Sequence, residues 1–367
     1  MATNAAQAPG STRLIERLTE LAIQAFLWAF RIVVVLIVVV GSLLTLAQGQ
    51  YGIAVWVDLA ITGAALGSVY ALVALGYTMV YGILRMINFA HGEVFMAGTF
   101  AGYFTAVALA NMGLLNASPL LSLLSIVVMI LAAAALSTVV SLIVERIAYR
   151  PLRNAPRLVP LISAIGASFV LQYTFRGFFG PGIYAYPPIT VLDGKAPIPF
   201  IDIQWAEVLV IGSAIGMMIG LYLFVMRSKT GTAIRAVSED QSAAALMGID
   251  VNRTIVTTFA IGAALAGAAG VLYAQMFHQF NYFVGFFPGL KAFTAAVLGG
   301  IGNIPGAMLG GLFLGEIEMI GPVLFLSGLG VPAANQLKDV IAFTMLVLVL
   351  VFRPQGLLGE RVTRDRA

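Results

Sequence analysis

The sequence contains no cysteine among its 367 residues, and it has only two histidines. Disulfide bonds, thiolate metal sites and cysteine nucleophiles are therefore excluded, and two histidines are too few for most metal cages. The sequence also has no GxxxxGK[ST] phosphate loop, no GxSxG motif and no HExxH motif. We therefore expect no catalytic residues, no metal and no cofactor. If ATP powers this protein, a phosphate-loop site on another chain must hydrolyse it.

Charge is also scarce: 10% of the residues are charged, 60% are hydrophobic, and the mean hydropathy is +0.98. The apolar runs are far too long for a globular core. A helix needs roughly 20 apolar residues to cross a hydrocarbon core of about 30 Å, because lipid offers no partners to unpaired backbone groups. The composition therefore predicts an all-α, polytopic transmembrane helical bundle in contact with membrane lipid. The net charge of +4 does not indicate nucleic-acid binding, because the basic residues lie at the ends of spans.

Eight segments have the length and apolar character of membrane spans. The first has a continuous VVVLIVVV centre, and no small-residue cleavage site follows it, so we do not expect a cleaved signal peptide. We expect residues 1–50 to form an N-terminal tail and one additional transmembrane helix. The candidate spans are 26–47, 58–84, 89–110, 120–144, 158–178, 208–226, 255–277 and 340–352.

Basic residues at the span ends orient these helices. The positive-inside rule places basic clusters in the cytoplasm. We therefore predict that both termini are cytoplasmic, that 361–367 is a cytoplasmic tail and that 180–203 lies outside. The clusters are Arg146, Arg150, Arg153 and Arg157, then Arg227, Lys229, Arg235 and Arg253, and finally Arg353, Arg361, Arg364 and Arg366.

Strict alternation of these spans requires the stretch 289–321 to return to the side where it starts. Pro305 favours a break in this stretch, and glycines at GxxxG spacing permit close helix approach. We predict two short, broken or re-entrant helices that meet near 302–306; a single Pro-kinked packing helix is the alternative. Interrupted helices line substrate paths in transporters, which makes Gly302, Asn303, Pro305 and Glu316 candidates for the path. The other glycine ladders predict packing seams: Gly63 and Gly67, Gly98 and Gly102, and Gly212, Gly216 and Gly220.

A polar segment between two apolar spans, RMINFAHGE, begins at Arg85. Asn88 is expected to cap the next helix, which places His91 and Glu93 in its first turns. Ionisable groups at membrane depth are expensive and usually functional, so these three residues are candidates for the path or gate. The alternative is structural, because the helix dipole favours a glutamate near a helix N-terminus, where Glu93 would pair with Arg85.

The loop 227–253 is the most charge-dense loop between spans. Ser238 and Gln241 have the spacing of a capping box, and Gly248 stands where a left-handed C-terminal residue belongs. These signals predict a short helix near 239–247 with an apolar tip at Leu246 and Met247. A loop that only joined two spans would not need a capped helix, so the loop is predicted to dock a soluble partner.

Four ordered motifs resemble those of one known family. They are GYTMVYGILRMINFAHGEVFMAGTF, RAVSEDQSAAALMGIDVNRTIVTTFAIGAALAGAAGVLYA, AVLGGIGNIPGAMLGGLFLGEIE and FRPQGLLG. The chain is similar, over roughly 57–360, to the LivH-type permeases of branched-chain amino-acid ABC importers. The resemblance implies that 51–360 is the permease domain of such an importer in a bacterial inner membrane, with 227–253 as its coupling loop.

The resemblance also implies partners. A permease of this type pairs with a second, LivM-like permease, sits on two ATP-binding subunits and receives its amino-acid substrate from a periplasmic binding protein. The family's contact with the ATPase corresponds here to Gly231, Arg235, Glu239, Asp240 and Gly248.

Two alternatives remain open from the sequence. The first is the same type of importer with urea, short amides or other amino acids as cargo, since no residue identifies the substrate side chain. The second is a stand-alone secondary transporter or channel that uses Glu93, His91 and Glu316 as an ion relay. The capped loop at 227–253 argues against this second alternative.

Overall fold

A computed structural model describes residues 10–153, 155–156, 158–196, 203–353 and 355–359, with side chains from residue 17 onward. Several residues named above lie outside this part of the chain. They are Arg157, Arg361, Arg364 and Arg366, the tail 361–367, and residues 197–202 of the expected external loop.

The described chain is almost entirely helical, and nine of its helices are long and apolar enough to cross a membrane. The predicted helical membrane bundle is therefore confirmed. The helices are α1 Gly10–Gln48, α2 Ile53–Leu84, α3 His91–Asn111, α4 Pro119–Val144, α5 Leu158–Phe179, α6 Trp205–Arg227, α7 Lys229–Glu239, α8 Gln241–Leu246, α9 Val251–Phe277, α10 Phe286–Gly299, α11 Ile304–Leu326 and α12 Lys338–Phe352.

A helix covers each predicted span. α1 extends further toward the N-terminus than expected, because the segment before the apolar run continues the same helix. A π-helical turn, Glu145–Tyr149, continues α4, and a short strand pair joins Tyr184–Ala185 (β1) to Gln279–Phe280 (β2).

The chain breaks between α10 and α11, where Gly300 and Gly302 have φ angles of +107° and +96°. Asn303 Oδ1 accepts a hydrogen bond of 2.9 Å from Gly306 N. Pro305 is the second residue of α11, in the first turn, where a helix tolerates proline. The predicted break is confirmed, but only α10 is short. Pro305 stands in the first turn of a helix of 23 residues and does not kink a single continuous one.

The chain divides into two compact units, one of Met1–Gly52 with Gly321–Leu337, the other of Ile53–Ile320 with Lys338–Ala367. In the first unit, α1 packs against the segment that begins at 321. Thr45 Oγ1 accepts a hydrogen bond of 2.8 Å from Gly328 N, and Gln48 Nε2 donates one of 3.3 Å to Gly328 O. The unit that contains the predicted N-terminal region therefore also includes residues 321–337.

In the second unit, α2 and α9 carry the largest buried faces, and α3, α4 and α10 pack around them. Glycines set the closest approaches: a Cβ on Gly67 would lie 2.8 Å from Leu312 Cα in α11, and a Cβ on Gly98 would collide with Gly267 Cα in α9. Two of the predicted glycine seams are therefore real packing seams. The third is wrong, because nothing in the described chain approaches within 4 Å of a Cβ on Gly212, Gly216 or Gly220.

Helix α3 begins inside the bundle. His91 lies against Gly76, eight residues before the end of α2. At 1.5 Å per residue, α3 therefore starts about 12 Å in from that end. Arg85 adopts a left-handed φ of +54° where the chain turns back inward.

Candidate functional site

Glu93, in the first turn of α3, is buried, with 1% of its surface exposed. Its Oε1 accepts hydrogen bonds from Gln172 Nε2 at 2.6 Å and Ser168 Oγ at 3.2 Å, both on α5. Its Oε2 has no hydrogen-bond partner among the described residues. Glu93 lines a cavity of about 70 Å³ between α3, α5 and the start of α10. The other lining residues are Tyr77, Phe89, Gly92, Ile165, Ser168, Phe169, Gly285, Phe286, Gly289 and Leu290.

His91 and Asn88 lie in the same segment as Glu93 and are also buried. The His91 ring meets the Tyr77 ring edge-on at 4.8 Å, and its Nε2 has no partner within the described chain. Asn88 Oδ1 accepts a hydrogen bond of 2.5 Å from the Tyr149 hydroxyl. Ala90 precedes α3 without a side-chain cap, so the prediction that Asn88 caps this helix is wrong.

The structural alternative for Glu93 is wrong only in its partner: Glu93 does lie in the first turn of α3, where the helix dipole favours an acid, but it is not paired with Arg85. Arg85 Nη2 donates a hydrogen bond of 3.1 Å to Ser238 O and does not pair with Glu93. The physical reason is the inward turn after Arg85, which carries Glu93 into the bundle and leaves Arg85 at its end. All three polar residues of this segment are buried, and Glu93 is the one among them that lines the cavity.

The remaining candidates for the path lie elsewhere. Asn303 Nδ2 donates a hydrogen bond of 2.9 Å to Leu358 O, so the turn 300–303 packs against the C-terminal segment 355–359. Glu316 is half-buried against Gly63. Neither Gly302, Asn303, Pro305 nor Glu316 lines the Glu93 cavity.

The structure also contains a buried ion cluster that was not predicted from the sequence. Lys291 Nζ lies 2.6 Å from Glu318 Oε1 and 2.7 Å from Asp339 Oδ1. The Tyr70 hydroxyl donates a hydrogen bond of 2.9 Å to Glu318 Oε2. Lys291 and Glu318 are 5% and 1% exposed. A lysine in the apolar run GLKAFTAAVL was the available signal, since an isolated charge in a span needs a partner.

Loop 227–253 contains two helices where the sequence predicted one. α7 begins after Ser228, whose side chain accepts a hydrogen bond of 2.9 Å from Gly231 N. Gly231 lies against the carbonyl groups of Phe224 and Val225, where no Cβ would fit. Ile234 and Val237 form the buried face of α7.

Asp240 separates the two helices, because its extended backbone (φ −151°) ends α7 and starts α8. Its Oδ1 accepts hydrogen bonds from Ser242 N and Ala243 N at 2.7 and 2.9 Å. The predicted capping box is therefore wrong: Ser238 Oγ donates to Arg235 O inside α7. The short helix itself and the left-handed Gly248, with φ +84°, are confirmed.

This two-helix element is tied to the end of α2. Gln241 Nε2 donates a hydrogen bond of 2.7 Å to Ile83 O, and Ala244 is buried. Its outer surface includes Leu246 and Met247, which are 90% and 83% exposed. The four polar or flexible residues expected at the ATPase contact are also exposed: Arg235, Glu239, Asp240 and Gly248.

Comparison with known proteins agrees with this architecture. The sequence model of the family described as "Branched-chain amino acid transport system / permease component" matches residues 59–350. The high-affinity branched-chain amino acid transport system permease protein BraD of Pseudomonas aeruginosa is 45% identical over 303 residues, covering 82% of this chain and 94% of BraD.

The corresponding LivH permease protein of Escherichia coli is 43% identical over 303 residues, which covers 81% of this chain and 94% of LivH. A probable LivH of Methanocaldococcus jannaschii is 30% identical over 78% of this chain and 88% of its own length. These relatives are transport permease proteins, and this chain is a multi-pass membrane protein. The chain belongs to the family of permease components of branched-chain amino acid transport systems.

Proposed function

We propose that the chain is one permease subunit of an ATP-driven importer that moves leucine, isoleucine and valine across a bacterial inner membrane. The relatives at 43–45% identity, which cover most of the chain, support this cargo. In this proposal the chain has no enzymatic activity of its own. It pairs with a LivM-like permease, two ATP-binding subunits hydrolyse ATP, and a periplasmic binding protein delivers the amino acid.

The proposed orientation has both termini in the cytoplasm and 180–203 outside. Met247, in the 227–253 loop, would then be cytoplasmic, whereas Met112, which follows α3 and is 70% exposed, would be external. The absence of cysteine makes single-cysteine labelling direct. In intact cells an impermeant thiol reagent should label Met112→Cys and not Met247→Cys. Labelling of Met247→Cys alone would show that the orientation is the reverse of the proposed one.

The observation that carries the proposal is an exposed apolar tip on a firmly mounted element. Leu246 and Met247 project at the end of the bundle, although burying each would stabilise the chain by roughly 1.5–3 kcal/mol. The caps at Ser228 and Asp240 and the bond from Gln241 to α2 hold the tip in a fixed position. A rigid apolar projection flanked by charges is suited to a complementary groove on a soluble subunit.

A charge reversal on this element tests the proposed coupling. Loss of a buried interfacial charge partner costs about 2–5 kcal/mol, or roughly thirty-fold to several thousand-fold in affinity. An exposed charge with no partner subunit would cost less than about 1 kcal/mol. Arg235→Glu should therefore release the ATPase subunits or stop their stimulation by loaded binding protein.

Lys229→Glu is the matched control, since it makes the same charge change on another face of α7. Both variants should insert at parental levels. If Arg235→Glu assembles and transports like the parent, the loop is only a solvated connector.

We place the gate at Asn88, His91 and Glu93, because Glu93 combines burial, a free carboxylate oxygen and a cavity. The break at Gly302, Asn303 and Pro305 and the acid Glu316 remain proposals for other parts of the path.

A further inference from the structure

A second cavity, of about 230 Å³, lies at the end of the bundle opposite α7 and α8. The N-terminal ends of α2, α6 and α12 and the C-terminal ends of α9 and α11 surround it. It carries both signs of charge: Asp58 and Glu207 supply carboxylates, and Lys338 supplies an ammonium group. Asp58 is exposed whereas Glu207 is 6% exposed, so the polar lining runs from the surface into the bundle.

The Glu207 carboxylate is held by two hydrogen bonds and still has free acceptor positions. Its Oε1 accepts a hydrogen bond of 2.6 Å from Thr62 Oγ1, and its Oε2 accepts one of 3.3 Å from Gln204 N. A carboxylate offers about four acceptor positions, so about two remain. The side chains of Lys338 and Asp58 make no hydrogen bond or ion pair with the residues that the structure describes.

The rest of the cavity wall is mainly apolar. Leu66 is buried at its base, and Met276, Phe277 and Met319 complete this side. Two thioethers and one aromatic ring form an adaptable surface for a branched aliphatic group. An ammonium side chain on the ligand would lose solvation there without gaining a partner.

We propose that this cavity is a receiving site for a free zwitterionic amino acid with an apolar side chain. The ligand's ammonium group lies between Glu207 and Asp58, its carboxylate accepts from Lys338 Nζ, and its side chain packs on Met276 and Met319. This inference rests on the proposed import of branched-chain amino acids and adds the residues that receive them.

The position of the cavity fits a first station for the substrate. It lies at the end that the proposed topology places outside, where a binding protein would release its cargo. Met319 and Lys338 are each adjacent in sequence to a member of the buried ion cluster, Glu318 and Asp339. The cluster therefore holds α10, α11 and α12 together directly beside the cavity and preserves its shape.

Binding of labelled leucine to the whole importer tests the proposal. The importer is purified through a tagged chain together with its co-purifying subunits, and without the binding protein. Unlabelled leucine should compete best. Leucinamide lacks the carboxylate and 4-methylpentanoate lacks the ammonium group, so both should compete at least about tenfold more weakly.

Three variants assign the effect to the cavity. Lys338→Met keeps the length of the side chain and removes its charge, so affinity should fall about tenfold. Lys338→Arg restores a cation and should recover most of the binding. Arg150→Met removes an exposed cation at the opposite end, outside the 227–253 loop, and should bind leucine like the parent. Co-purification of the other subunits with each variant shows that the importer is intact.

The same preparations, reconstituted in vesicles, separate two kinds of failure. If the parent drives no ATP-dependent uptake of leucine, isoleucine or valine, the proposed function is wrong and this inference falls with it. Two other results would contradict only the receiving site. The parent could import leucine but fail to bind it without the binding protein, or Lys338→Met could bind leucine as tightly as the parent. In either case the importer assignment stands.

Discussion

The buried ion cluster makes a quantitative prediction about stability. Lys291 has two acidic partners, whereas Glu318 has one ammonium partner and the Tyr70 hydroxyl. Removing one member of a buried pair costs about 3–5 kcal/mol, because the remaining charge is left uncompensated. Lys291→Met leaves Glu318, which is 1% exposed, without a cation, so it should cost the full amount.

Glu318→Gln should cost less. Lys291 would keep Asp339 at 2.7 Å, and the new amide oxygen can still accept from Tyr70. Replacing both members with apolar residues removes the buried orphaned charge and leaves Asp339, whose side chain is 44% exposed to solvent, and such replacements are often neutral or stabilising. The double variant Lys291→Met with Glu318→Leu should therefore recover much of what Lys291→Met loses.

The free energy of unfolding in detergent, measured by SDS titration with circular dichroism as the readout, provides this comparison. Lys229→Met is the control, because an exposed substitution should change it by less than about 0.5 kcal/mol. A double-mutant cycle then gives the coupling energy of the pair. Equal stability of Lys291→Met and the parent, or a double variant weaker than either single variant, would refute the reasoning.

Glu93→Gln keeps the hydrogen bond from Gln172 and removes the charge, so uptake should fall about tenfold at unchanged membrane levels; parental kinetics would leave Glu93 as a packing residue. Gly248→Val forces a β-branched residue to φ +84° at a cost of about 1–2 kcal/mol, so less ATPase should co-purify with it. Gly67→Val meets the α11 backbone and should destabilise the chain by about 1–3 kcal/mol, whereas Gly212→Val, which faces open space, should not; equal SDS midpoints would contradict the seam.

Long apolar runs were the strongest predictors in the sequence. Each predicted span is a helix, because backbone groups in lipid have no other partners, and the break before Ile304 follows from glycines with positive φ. Local signals did less well at helix ends. Asp240 caps α8 in place of Ser238 because α7, which was not predicted, extends to Glu239.

The sequence could not predict which side chains pair between different helices. The partners of Glu93 lie 75 and 79 positions away, on a helix whose polar residues look ordinary. The ion pair of Lys291 and Glu318 spans the turn between α10 and α11, whose geometry had to be known before the two charges could be matched. Glu316 was predicted for the path, whereas Glu318, two positions further along α11, is the acid buried in the ion cluster. Residues at positions i and i+2 of a helix point apart, and this spacing does not show which of the two faces the interior.

Helix α10 connects the polar sites of the bundle. Phe286, Gly289 and Leu290 line the Glu93 cavity. The next residue, Lys291, holds together the ion cluster beside the second cavity, which contains Lys338 and Glu207. The C-terminal end of α10 contacts the segment after α12, where Leu357 N donates a hydrogen bond of 2.7 Å to Leu298 O. Because α10 is only 14 residues long and touches all three places, a displacement of this helix would alter the Glu93 cavity and the ion cluster together.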